Sequence, residues 1–239
     1  MAGNYFRFKQ FTVHQDGSAM KVGTDGVILG AWASTGDGDE RLLDIGTGTG
    51  LLALMMAQRC PLSQIDAVEI DGASADQAAR NFQDSPWSSR LNIFHTSIQR
   101  FTETGRCKYG RIICNPPYFI DSLKSPDESR TTARHAVSLT HGELITAVKS
   151  LLAPKGIFSV IFPYAEANIF IAEAAMGRLY CRKKLNVIPL PGAKVKRVCA
   201  EFSFAHDAVE ESNLVIENGV RHEYTEEYKA LTRDFYLKF

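Results

Sequence analysis

The stretch that most constrains this chain is Arg41-Leu-Leu-Asp-Ile45, Gly46-Thr-Gly-Thr-Gly50, Leu51-Leu-Ala-Leu-Met-Met-Ala57. It reads as a buried strand, a glycine-rich turn and a helix. Such a unit commits the chain to strands alternating with helices, and so to a mostly parallel sheet. The glycines let backbone approach a ligand where a Cβ would collide. Their spacing is Gly-x-Gly-x-Gly, without the offset third glycine of the dinucleotide fingerprint. No Gly-Lys-Ser/Thr follows, which argues against a phosphate loop.

The pattern continues on both sides. Gln64-Ile-Asp-Ala-Val-Glu-Ile70, Leu91-Asn-Ile-Phe-His-Thr-Ser97, Gly110-Arg-Ile-Ile-Cys114 and Gly156-Ile-Phe-Ser-Val-Ile-Phe162 are expected as further buried strands. Helices are expected over 73–82, 140–152 and 165–176. Leu185-Asn-Val-Ile-Pro-Leu190 and Val198-Cys-Ala-Glu-Phe-Ser-Phe204 are joined too briefly for a crossover, so they must pair antiparallel. Leu214-Val-Ile216 is a candidate edge strand and Thr225–Phe235 a closing helix. At the start, Phe11–Gln15 and Ser18–Val22 flank Asp16-Gly17 and predict a β-hairpin. Thr24 or Asp25 can cap a short helix over the following apolar run, whose N-terminus could equally hold a carboxylate.

The fourth strand ends in Asn115-Pro-Pro-Tyr118. Proline cannot donate to a ladder, so the strand stops there on a stiffened exit. An exocyclic amino group on adenine has two N–H donors and a lone pair delocalised into the ring. The Asn115 oxygen can accept one hydrogen and the Pro116 carbonyl the other. Two aligned acceptors favour a pyramidal nitrogen and free its lone pair for attack. Tyr118 offers a ring on which a base can stack, worth roughly 1–3 kcal/mol. Glu69, about 20 residues after the glycine turn, is suited to the two hydroxyls of a ribose. Helix capping belongs better to Asp71.

Composition narrows the setting. The chain has 239 residues, 27 basic and 27 acidic, for a formal charge of zero. Nucleic acid would therefore have to be held by a locally basic face. Arg130, Arg134 and the Lys194, Lys196 and Arg197 loop are the candidates; Arg178 and Arg182–Lys184 form another basic cluster. No stretch approaches the roughly 20 apolar residues of a membrane helix, and the first residues lack a secretory core. Five scattered cysteines without a Cys-x-x-Cys pair suggest reduced structural thiols in the cytoplasm, and no metal site.

Asp44-Ile-Gly-Thr-Gly-Thr-Gly50 with the later Glu69 resembles the cofactor site of class I S-adenosylmethionine-dependent methyltransferases. Asn115-Pro-Pro-Tyr118 is similar to the signature of enzymes that methylate planar nitrogens. Lys21-Val-Gly-Thr-Asp-Gly-Val-Ile-Leu-Gly-Ala-Trp32 and the end segment Tyr224–Phe239 look like the bacterial tRNA(Val) adenine-N6 methyltransferases.

The resemblance implies a Rossmann-like seven-stranded sheet with one antiparallel strand. It implies one domain over 1–239, with an N-terminal hairpin and helix (1–40), a core sheet (41–206) and an extension (207–239). It implies that Asn115 and Pro116 hold the target amino group and that Tyr118 stacks on the base. Asp44, Gly46, Gly48, Gly50, Glu69 with Ile70, and Thr24, Asp25 and Gly26 would surround S-adenosylmethionine. Where relatives carry an acid after the third strand, Ser97-Ile98 stands here. The expected reaction is methylation of N6 of an adenine in tRNA, adenine 37 beside the anticodon of tRNA(Val). A glutamine amide offers the same two N–H donors, so a release-factor glutamine methyltransferase is the rival. A non-catalytic nucleic-acid scaffold is the other.

Overall fold

The structure is a computed structural model and describes residues 4–16, 21–36, 38, 40–105, 107–117 and 139–238. Tyr118, Arg130 and Arg134 lie outside the described residues.

Two short strands, β1 (Tyr5–Arg7) and β2 (Thr12–His14), pair antiparallel. The turn expected at Asp16-Gly17 and most of its second strand fall on residues 17–20, outside the described residues. The β1–β2 turn is closed by Phe8 N donating to Phe11 O (2.8 Å). Aromatic packing decides this register: Phe8 stacks on Phe11 at 4.7 Å and on Tyr236 at 6.1 Å, more than 200 residues away. Ring packing ties the hairpin to the far end of the chain.

The core follows as α1 (Thr24–Trp32), β3 (Leu42–Ile45), α2 (Leu51–Arg59), β4 (Ile65–Glu69), α3 (Gly72–Gln83), β5 (Leu91–His95), α4 (Ile98–Glu103) and β6 (Tyr109–Cys114). After it come α5 (His141–Leu151), β7 (Leu152–Pro163), α6 (Tyr164–Met176), β8 (Tyr180–Ile188), β9 (Arg197–Ser203), β10 (Glu210–Val215) and α7 (Glu226–Thr232). One eight-stranded sheet runs β10-β8-β9-β7-β6-β3-β4-β5. It comprises the seven expected strands plus β10, which starts earlier than the expected edge segment and pairs parallel with β8. Only β9 runs against its neighbours. The large sheet is therefore α/β and mixed, as expected.

Side chains alternate across β3. Leu42 joins a layer formed by the hairpin, α1, α2 and α7, whereas Leu43 and Ile45 join the layer under α4, α5 and α6. Among the described residues no helix is long and apolar enough to cross a membrane. All five cysteines are free thiols.

α1 corrects the capping expectation. Its N-cap is Gly23, with no side-chain cap bond, so Thr24 and Asp25 are already helical. The Asp25 carboxylate instead accepts from Arg197 Nε at 2.7 Å, an ion pair across 172 residues. A charge-assisted bond outweighs a local cap.

Candidate active site at the carboxyl edge of the sheet

Parallel strands present their carboxyl ends on one edge, and the sequence-predicted residues collect there. The glycine turn follows β3, Glu69 ends β4, Ser97 follows β5 and Asn115 follows β6.

The three turn glycines are left-handed, with φ of +69° at Gly46, +56° at Gly48 and +85° at Gly50. They do different work. A Cβ at Gly46 or Gly48 would meet nothing within 4 Å, whereas one at Gly50 would lie 2.5 Å from Phe82 Cε1. Gly46 and Gly48 therefore border open space, and Gly50 seats the turn against α3. Gly50→Ala should cost about 2–4 kcal/mol, combining left-handed strain with overpacking against a buried ring. Gly48→Ala should cost about 1 kcal/mol, the conformational part alone. Thermal denaturation of the two variants reads the difference directly.

Asp44 is fully buried beneath this turn. Its Oδ2 accepts from Thr47 Oγ1 (2.5 Å) and Ala53 N (3.1 Å), tying the turn to the head of α2. Its Oδ1 has no partner among the described residues. Burial raises its pKa from 3.8 to about 7, only partly offset by the two hydrogen bonds. The folded state thus holds a proton that the unfolded chain releases near pH 4. This contribution to stability is fully present below pH 4 and is lost as pH rises to about 7. Asp44→Asn keeps an acceptor for Thr47 and Ala53 without the ionisable group. Urea titrations from pH 4 to 8 should show a flatter stability profile for Asp44→Asn than for the parent, with the variant gaining most at the alkaline end.

Glu69 is 8% exposed and fully engaged with backbone. One oxygen accepts from Gly48 N at 2.8 Å, the other from Ile70 N and Asp71 N at 2.9 Å each. It thereby fixes the distance between the glycine turn and the end of β4. Asp71 is the cap, accepting from Ser74 N at 2.8 Å, as the sequence suggests. Ile70 is 46% exposed at the strand end, a large apolar side chain facing outward beside Glu69.

Ser97 caps α4, an element the sequence did not signal, accepting from Arg100 N at 3.3 Å. The Ile98 side chain is buried in the layer under α4, so this residue offers the site its first-turn backbone N–H rather than its side chain.

Asn115 leaves β6 half-buried, followed by buried Pro116 and exposed Pro117. Its Oδ1 is shielded from solvent and has no hydrogen-bond partner among the described residues. The first turn of α1 lies against its amide: a Cβ on Gly26 would come within 3.8 Å of Asn115 Nδ2 and 2.9 Å of Leu51 Cδ2. Glycine at 26 leaves room for the Leu51 side chain between α1 and α2, whereas the 3.8 Å to Asn115 would be an ordinary contact. The neighbouring Cys114 thiol is wholly buried, which pushes its pKa well up and leaves it protonated and inert.

The structure brings together Gly26, Asp44, the glycine turn, Glu69 and Asn115. Lys194 and Lys196 are exposed in the loop joining β8 to β9, and Arg197 is committed to Asp25. One supporting residue was missed. Asn81, buried in α3, accepts from His14 N (2.9 Å) and donates to His14 O (2.9 Å) and Thr49 O (2.8 Å). It clamps the hairpin to the glycine turn. Its only sequence signal is an amide within an apolar helical stretch.

Comparison with known proteins agrees with this geometry. The methyltransferase small domain family matches residues 29–166. A Bacteroides fragilis protein named tRNA1(Val) (adenine(37)-N6)-methyltransferase is 48% identical over 239 residues, covering 100% of both chains. A protein of the same name from Bacteroides thetaiotaomicron is 47% identical over 238 residues, covering 99% of each. The crystal structure of a predicted O-methyltransferase from Agrobacterium tumefaciens superimposes with a TM-score of 0.70 at 17% identity. That match covers 88% of this chain and 96% of the other, and it bears on the fold alone. By full-length identity and by the domain it carries, the chain belongs to the tRNA1(Val) (adenine(37)-N6)-methyltransferase family.

Proposed function

We propose that this protein methylates N6 of adenine 37 in tRNA1(Val), the reaction in the names of its full-length relatives. The observation that carries the reading is the Asn115 oxygen, a shielded acceptor without a partner among the described residues, set beside an open glycine turn. A buried acceptor left unpaired costs stability, so its retention fits a ligand that donates to it.

The residues present fit S-adenosylmethionine. Open space faces Gly46 and Gly48, and Asp44 Oδ1 is a second buried polar atom without a partner among the described residues. The glycine turn with Asp44, and Thr24–Gly26 at the head of α1, would hold the methionine portion. Glu69 and Ile70 would hold the ribose, and Ser97 with the Ile98 N–H the adenine. When bound, this cofactor would supply a methyl carbon made electrophilic by its sulfonium sulfur, which keeps the electron pair of the broken carbon–sulfur bond and leaves as a neutral thioether.

The chain's part is to prepare the nucleophile. Asn115 Oδ1 and the Pro116 carbonyl accept the two N–H bonds of the target amino group, and Tyr118 stacks on the base. Both acceptors also favour the positive charge that develops on nitrogen as its bond to carbon forms. The excess proton then passes to solvent. The target must enter unstacked, which costs less in a single-stranded anticodon loop than in a duplex. Arg130, Arg134, Lys194 and Lys196 are proposed phosphate contacts. We infer a cytoplasmic location from the substrate, and one working domain over 1–239.

The rival substrate is a release-factor glutamine. Total tRNA from a strain lacking this gene and purified release factors, each incubated with the protein and methyl-labelled S-adenosylmethionine, separate the two. The expected result is label in N6-methyladenosine confined to one tRNA species. Label entering release factors alone would replace this reading with the glutamine one.

A further inference from the structure

A cavity of about 830 Å3 lies beside the site, between the hairpin, the head of α1, the ends of β8 and β10 and the C-terminal segment. Its volume is within the range of small-ligand sites. β8 and β10 run in the same direction as β6, so the cavity opens on the same edge of the sheet as Asn115. Thr24 and Asp25 form part of its wall, and the next residue, Gly26, faces the Asn115 amide: a Cβ added there would lie 3.8 Å from Nδ2. One turn of α1 is therefore the partition between the two.

The cavity combines rings with cations. Phe6, Tyr224 and Tyr236 line it, each half-buried with part of its ring surface exposed. Their seating is firm: Tyr224 stacks on the buried Tyr228 at 5.1 Å and 27°, and Phe6 meets Tyr236 edge-on at 6.0 Å. Arg7, Lys196 and Lys238 stand exposed around them, with no ion-pair partner among the described residues. Of the two lining acids, Asp25 is paired with Arg197, and Glu217 accepts from His222 N at 3.0 Å. The chain as a whole carries no net charge. This local excess of cations around exposed aromatic faces is the chemical complement of a nucleotide, with its base on a ring and its phosphate on lysine or arginine.

We propose that this cavity takes one unstacked nucleotide from the same tRNA loop as the methylated adenine, a few positions away in the chain. The proposal rests on the tRNA reading above. Three strand spacings separate β6 from β8, roughly 14 Å, a gap that a short single-stranded run spans. Holding a second base here would keep the loop open and test its shape before the target enters. That supplies selectivity among tRNAs sharing an adenine at one position.

The test pairs protein variants with tRNA1(Val) molecules assembled by ligation, each with one loop nucleotide made abasic. Tyr224→Leu should raise KM for intact tRNA by roughly tenfold, the scale of one lost stack, with kcat and S-adenosylmethionine affinity held. Tyr224→Phe should restore it. Lys196→Ala should raise KM and reduce the slope of log KM against log salt by about one. One abasic position should weaken the parent enzyme as much as Tyr224→Leu does, and should add nothing in that variant. Strictly additive losses at every position would overturn the cavity's role while leaving the tRNA reading intact. Failure of the parent enzyme to methylate intact tRNA would remove both.

Discussion

Asn115→Ala should lower kcat on tRNA by at least about a hundredfold, with S-adenosylmethionine affinity and melting temperature close to the parent's. The split follows from what Asn115 touches. Its Oδ1 accepts nothing within the described structure, so truncation breaks no intramolecular bond there and removes a desolvated acceptor. Its Nδ2 faces Gly26 at the head of α1 across space that a Cβ would fill, so the loss to packing there is small. The substrate amino group, by contrast, loses one of its two proposed acceptors. Single-turnover methylation together with isothermal titration of the cofactor reads both halves. A variant that methylates at the parent's rate would end the acceptor role.

Glu69→Gln should weaken S-adenosylmethionine binding by about tenfold or more and lower the melting temperature by a few degrees. The substitution conserves shape. The carboxylate accepts three backbone N–H groups with its two oxygens, from Gly48 on one side and Ile70 and Asp71 on the other. An amide has one oxygen, so either Gly48 or the Ile70–Asp71 pair would face an NH2 group, donor against donor. Hydrogen bonds to a charged acceptor are worth roughly 1.5–3 kcal/mol, and the one to Gly48 sets where the glycine turn stands. KM for tRNA should hold, because Glu69 lies two strands from Asn115 across β3. Unchanged cofactor affinity would show that Glu69 serves neither the turn nor the ribose.

The parts of this molecule legible in its sequence are those fixed by local chemistry. The strand-turn-helix around Gly46–Gly50, the proline stop after Asn115 and the antiparallel pairing of β8 with β9 each follow from backbone rules that act over a few residues. So does the cap of α3, which is Asp71 and not Glu69.

What escaped depends on partners far away in the chain. The β1–β2 hairpin is anchored by Phe8 stacking on Phe11 and on Tyr236. Asp25 is taken by Arg197, which no cap preference could reveal. Arg182–Lys184 reads as a basic cluster but lies within β8, where Lys184 pairs with Glu211 and Lys183 sits 4.7 Å from the centre of the Trp32 ring. The cavity is assembled from both chain ends and the β8–β9 loop, so no window of sequence contains it.

The central claim is best tested on one molecule. An unmodified tRNA1(Val) transcript is incubated with the protein and S-adenosylmethionine, then mapped by nuclease digestion and mass spectrometry down to the modified nucleoside. The expected product carries a single methyl group, on adenine 37, eluting as N6-methyladenosine. A methyl group on a ring nitrogen, on another nucleotide, or on none would contradict it.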